Sequence, residues 1–189
     1  MQTLKSPLSN KLKRIDSGYY DIVKYIRWLL GKLYFRKDMN DMDERIKKLA
    51  SNLVNYSMGV KHGERVYVHY TGASTEELAR QVVKEVYKAG GFPFVHYTNP
   101  RLQREVLLNC TVEQISLKAK VDASEMDKMD CYVGIRGSEN VSELADIPAD
   151  KMNIYETYYA TPVHHDIRVK KTRWVVLRYP NASMAQLAN

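Results

Sequence analysis

The stretch from Arg65 to Thr98, RVYVHYTGASTEELARQVVKEVYKAGGFPFVHYT, changes its hydrophobic period twice within 34 residues. Arg65–Tyr70 is β-branched and aromatic. After Thr71-Gly72-Ala73, the residues Leu78, Val82, Val83, Val86 and Tyr87 recur at helical spacing. Gly90-Gly91 supplies a helix stop, and Phe92–Thr98 returns to strand composition. Ser74 or Thr75 is placed to cap the helix, with Glu76 and Glu77 complementing its dipole. Strand, helix and strand in this span make a βαβ unit. Its two strands end alike, in Val68-His69-Tyr70-Thr71 and Val95-His96-Tyr97-Thr98, so a parallel pair sets these ends side by side.

The flanking sequence extends the alternation. Met42–Gly59 carries Ile46, Leu49, Ala50, Leu53 and Val54 in helical register and ends on glycine. Asn99-Pro100 opens a helix over Arg101–Cys110, and Thr111 caps another that runs toward Ala123. Cys131–Ile135 is a short apolar strand, followed by the loop Arg136-Gly137-Ser138-Glu139-Asn140. Ile147-Pro148-Ala149-Asp150 opens a further helix, expected to close near Tyr159, ahead of Pro162. Trp174–Tyr179 is the last strand. The reading is an α/β fold: a Rossmann-like, mostly parallel sheet of about four strands with helices on both faces.

Charge separates the chain's parts. Residues 1–38 hold nine Lys/Arg against three Asp/Glu, and the remaining residues 20 against 19, so a net +7 reduces to +1 outside the first 38 residues. A phosphate-binding groove in the folded part is therefore disfavoured, and nucleic acid is not an expected partner. Within residues 1–38, Asp21–Phe35 reads as a basic amphipathic helix, a docking helix or a membrane-surface helix, interrupted by Gly31. No apolar run reaches the ~18 residues of a membrane span, and no secretory leader pattern is present. Cys110 and Cys131 form neither a disulfide framework nor a cysteine-rich metal site. The cytoplasm is the expected location. The chain is expected to divide into a basic extension at 1–38, an α/β domain at 42–182 and, at 183–189, the start of a second, truncated domain, because Met184–Asn189 begins a helix pattern too short to stand alone.

The motifs for chemistry are sparse. Thr71-Gly72-Ala73-Ser74-Thr75 lies where α/β sheets bind anions, yet its one glycine fits neither G-x-G-x-x-G nor a P-loop, and a plain capped turn explains it. His69, His96, His164 and His165 lack the H-E-x-x-H spacing of a metal helix, and adjacent His164 and His165 point apart. Arg136, Ser138, Glu139 and Asn140 follow a strand at the edge where open sheets place ligand-contacting loops, although a solvated turn accounts for them too.

Five stretches taken together go further: LASNLVNYSMGVKHGERVYVH, the TGAST to FVHY unit, NPRLQREVLLN, YVGIRGSENVSELADIPADKM and TRWVVLRYPNASMAQLA. With LVNYS, KAGG-x-P, GSEN and W-x-x-x-R-x-P in order, residues 43–189 resemble the N-terminal half of the thermophilic metallo-aminopeptidases of the aminopeptidase T and aminopeptidase S group. The resemblance implies an exopeptidase that releases N-terminal amino acids from peptides. It implies two divalent metal ions, zinc, cobalt or magnesium, and a cytoplasmic homodimer. Paired metals of this kind polarise the scissile carbonyl and activate water. The resemblance also places the Glu, His, Tyr and Asp ligands in the C-terminal half, so no catalytic residue and no metal ligand transfers to this chain. It should supply scaffold and subunit contacts and be inactive alone. Arg136, Glu139 and Asn140 are the candidates for a substrate cleft. The alternative reading is a non-enzymatic α/β module that binds a small anion or nucleotide at the strand ends.

Overall fold

The computed structural model describes residues 43–182 together with Ala185. The basic extension at 1–38, its Asp21–Phe35 helix and, Ala185 aside, the segment 183–189 lie outside the described residues.

Helix α1 spans Glu44–Ser51 and continues as a π-helical turn over Asn52–Ser57. It buries Ile46, Ala50, Leu53 and Val54, the stripe that the sequence marks. Strand β1 (Arg65–Thr71), helix α2 (Glu76–Lys88) and strand β2 (Phe92–Thr98) form the βαβ unit, with His69 opposite His96 in a parallel register. Gly90, at φ 79°, ends α2: the Gly91 and Gly90 amides bond the Val86 and Tyr87 carbonyls at 2.9 and 3.0 Å, which closes the helix with a Schellman motif. Helices α3 (Pro100–Asn109) and α4 (Val112–Met126) follow, each started by the expected cap. Asn99 Oδ1 accepts from the Arg101 amide at 3.0 Å, and Thr111 Oγ1 from the Gln114 amide at 3.2 Å.

Strands β3 (Cys131–Arg136) and β4 (Arg173–Arg178) complete a four-stranded parallel sheet in the order β2-β1-β3-β4. Alternation along β1 and β3 divides the two faces. Val66, Val68, Cys131, Val133 and Ile135 are buried on one, beneath α1 and α2, where Leu78, Val82 and Val86 are fully buried. Tyr67 and Tyr132 point to the other, where they meet Ala119 and Met126 of α4 and Val163.

Three local expectations are corrected. The last helical stretch does not stop before Pro162: α5 (Ala149–Tyr155) passes into a π-helical segment, Glu156–Arg168, with Pro162 inside it, and then into α6 (Val169–Lys171). Proline removes one amide donor, and within the same widened turns the Thr161 hydroxyl donates to the Glu156 carbonyl at 2.9 Å. Burial of Ala160 and Val163 holds this segment on the sheet. Ser74 and Thr75 do not cap α2. A 3-10 turn, Ala73–Thr75, comes first, and their hydroxyls donate to carbonyls: Thr75 to Gly72 at 2.8 Å and Ser74 to Gly137 at 3.0 Å. Finally, Tyr87 is 63% exposed, while Gln81 and Glu85, bonded to each other at 2.9 Å, are buried in its stead.

Candidate functional site

In the strand order β2-β1-β3-β4 the chain leaves β1 toward one side of the sheet and β3 toward the other. The switch between them, at the carboxyl ends of β1 and β3, is where an open α/β sheet usually has a ligand crevice. Here protein fills it. Gly72 has φ 83°, and a Cβ placed on it would stand 2.2 Å from the Gly137 carbonyl oxygen. The Gly137 amide donates to the Thr71 carbonyl at 3.0 Å, and the Gly137 carbonyl accepts the Ser74 hydroxyl. The Gly72 and Thr75 amides and the Ser74 and Thr75 hydroxyls of the TGAST turn donate to neighbouring carbonyls, and the close approach of Gly72 to Gly137 makes the turn a packing joint.

Polar chemistry collects instead on the face covered by α4 and the π-helical segment. His69 uses both ring nitrogens: Nδ1 lies 3.0 Å from the Tyr132 hydroxyl and Nε2 2.8 Å from Thr98 Oγ1. Gly134 makes this possible, because a Cβ there would meet the Tyr132 ring at 3.1 Å and Val176 at 3.2 Å. Tyr67 stacks on His96 at 4.1 Å between centroids, and His96 Nε2 pairs with Glu125 of α4 at 3.1 Å. From the π-helical segment, His164 meets the Tyr132 and Tyr159 rings edge-on at 6.4 and 5.7 Å. The Tyr159 hydroxyl donates to Asp122 at 2.6 Å. The Arg168 guanidinium lies 5.1 Å from the Tyr132 ring and 4.9 Å from the Trp174 ring.

Burial and like charge set the protonation of this cluster. Desolvation, then the charges of His164 and Arg136, lower the His69 pKa to about 4. Desolvation, then Arg168 and Arg136, lower that of His164 to about 4. Both rings are therefore neutral near pH 7. Burial pushes the Tyr155 phenol up to about 12 and raises Tyr67, Tyr132 and Tyr159 as well, so all four stay protonated hydrogen-bond donors.

The donor set does not fit a metal centre. Both nitrogens of His69 are engaged, His96 is paired with Glu125, and His165 is exposed whereas His164 is half-buried. Among the described residues no group of three His, Cys, Asp or Glu could hold a metal ion.

Of the three cleft candidates read from sequence, Arg136 is the one whose charge bears on this cluster. It is exposed at the end of β3, on the Tyr132 face, and its charge bears on both His69 and His164. Glu139 and Asn140 are exposed in the loop that follows β3. Asn140 accepts from the Ser142 amide at 3.0 Å and donates to Glu143 at 3.2 Å. Tyr132, Thr98 and Arg168 were not visible as site residues. The one hint was the glycine within the CYVGI strand, since an interior glycine marks a close approach.

Over residues 42–188 the chain matches the family described as thermophilic metalloprotease (M29). Among solved structures it is similar to wild-type AmpT from Thermus thermophilus, with a TM-score of 0.58 at 17% identity, a likeness of fold. That match covers 74% of this chain and 37% of AmpT, so the chain spans little more than a third of that protein. A 2-hydroxyisobutyryl-CoA ligase in an open conformation, in complex with 2-HIB-AMP and CoA, reaches a TM-score of 0.28 at 11% identity over 73% of this chain and 29% of its own, which is too remote to carry an argument. No curated protein matches the chain in sequence.

Proposed function

This chain belongs to the thermophilic metalloprotease (M29) family, and we propose that it is the α/β portion of a metal-dependent aminopeptidase that releases N-terminal residues from peptides. The observation that carries this reading is the family match over 42–188, in agreement with a fold similar to one part of AmpT. A divalent metal cofactor follows from the family. In our reading its ligands come from outside residues 43–182, because His69 and His96 are committed to tyrosine, threonine and glutamate partners and no group of three His, Cys, Asp or Glu among the described residues could hold a metal ion. We assign these residues a scaffolding role, and Arg136, Glu139 and Asn140 a place at the rim of a peptide cleft. The exposed edge strand β2, with Phe92 at 53%, Val95 at 50% and Tyr97 at 48%, is suited to subunit contacts in a homodimer. The division at 1–38, 42–182 and 183–189 and a cytoplasmic location belong to the same proposal. Among the described residues no helix is long and apolar enough to cross a membrane.

The alternative, a small-anion or nucleotide module at the TGAST turn, is opposed by the Gly72 to Gly137 contact, which fills the switch point. The experiment that tests the scaffold reading is an assay of the chain with zinc, cobalt or magnesium on an aminoacyl chromogenic substrate. No turnover is expected; robust hydrolysis would place the chemistry within this chain.

A further inference from the structure

The polar groups beneath the π-helical segment do not balance. His164 Nδ1 and Arg168 Nε and Nη1 are buried without a hydrogen-bond partner among the described residues. Buried donors, and charged ones above all, are rarely left in that state unless something outside the protein completes them. The charge is one-sided too. Arg136 stands at the mouth of the cluster, and its charge together with burial lowers the pKa of Arg168. The nearby acids are already engaged: Asp122 takes the Tyr159 hydroxyl at 2.6 Å and Lys118 Nζ at 2.8 Å, and Glu125 pairs with His96. Arg168 is steadied by the faces of Tyr132 and Trp174, which support its plane and leave its N–H groups unspent. Arg136 ends β3, whereas Arg168 stacks on Tyr132 and Trp174, the second residues of β3 and β4, so the unpaired donors lie along the sheet face that the π-helical segment covers.

We propose that a compact oxyanion, a carboxylate or a phosphate group, binds on the β3 face that the π-helical segment covers, between Arg136 and the His164 and Arg168 pair. Arg168 and His164 supply the inner donors, and Arg136 closes the mouth. The site is separate from the TGAST turn and independent of the aminopeptidase reading.

The test is thermal unfolding of the 189-residue chain in sodium phosphate and in sodium acetate, each against chloride at equal ionic strength. Trp174 emission in a Trp28→Phe background serves as a second readout, since the chain has two tryptophans. A saturable rise in midpoint with at least one oxyanion is expected, and Arg168→Gln should weaken that affinity about tenfold or more. Arg136→Gln, at an exposed position where folding is not at stake, should weaken it several-fold. A response to acetate alone identifies a carboxylate site, and a response to phosphate alone a phosphate site. If Arg168→Gln does not fold, Arg136→Gln and His164→Phe decide. No response beyond chloride, or equal affinity in the parent and Arg136→Gln, overturns the proposal and leaves solvent as the partner of these donors.

Discussion

Gly72 and Gly137 touch backbone to backbone: a Cβ on Gly72 would lie 2.2 Å from the Gly137 carbonyl oxygen, and one on Gly137 would lie 2.4 Å from Thr75 Cγ2. This contact joins the carboxyl ends of β1 and β3. It turns a usual ligand crevice into part of the packed framework.

Gly72→Ala should therefore be strongly destabilising. At φ 83° an L residue is strained, and the methyl meets backbone that cannot move aside cheaply. A left-handed conformation and overpacking together cost about 2–5 kcal/mol. Urea unfolding measures this directly; a loss below about 1 kcal/mol would show that the joint yields.

Gly134→Ala tests the support of His69. The new methyl would press on the Tyr132 ring at 3.1 Å and displace the hydroxyl that reaches His69 Nδ1. The expected cost is about 1–3 kcal/mol. Tyr132→Phe, which removes only the hydroxyl, should cost about 1–2 kcal/mol by leaving a half-buried ring nitrogen unpaired. A double-mutant cycle should show the two effects to be coupled, because both act on one contact.

Asn99→Ala removes the side chain that accepts from the Arg101 amide at 3.0 Å and the Leu102 amide at 3.4 Å. The loss should be about 1 kcal/mol in a chemical denaturation curve. Ser74→Ala should not behave as the loss of a helix cap. Its hydroxyl bonds the Gly137 carbonyl, so hydrogen exchange should quicken at the β1 to β3 joint rather than at the first turn of α2.

Acid should weaken the fold through His69 and His164. Both are held near pKa 4 from an ordinary value of 6.5, so between those limits the unfolded chain binds protons that the folded chain does not. Stability is then complete above about pH 6.5 and is lost as pH falls toward 4, by up to about 1.4 kcal/mol per pH unit for each histidine. Asp130, held low chiefly by its hydrogen bond from Arg65, titrates at still lower pH and does not account for this window. Urea midpoints that stay flat between pH 7 and 4.5 would contradict the burial of both rings.

Local rules carried the reading of the fold a long way. The period change across Arg65–Thr98, the glycine stop at Gly90 and the caps Asn99 and Thr111 act within a few residues of where they are written, and the structure uses each of them. The π-helical passage through Pro162 was not legible, because what holds it is burial of Ala160 and Val163 against the sheet, and tertiary packing overrides a local breaker. The site was less legible still. Tyr132, Arg168 and Thr98 come from separate elements and meet only once β1 lies between β2 and β3. Arg136 was visible because it ends a strand; Glu139 and Asn140 follow it in an exposed loop, where Asn140 bonds locally to Glu143.

As proposed above, the chain carries the scaffold of a metallo-aminopeptidase whose metal ligands come from outside residues 43–182. Metal content measured by mass spectrometry after equilibration with excess zinc or cobalt and desalting tests this most directly. Substoichiometric metal, unchanged by simultaneous replacement of His69 and His96, is expected. Close to two metal ions per chain, retained by the parent and lost on that replacement, would contradict it.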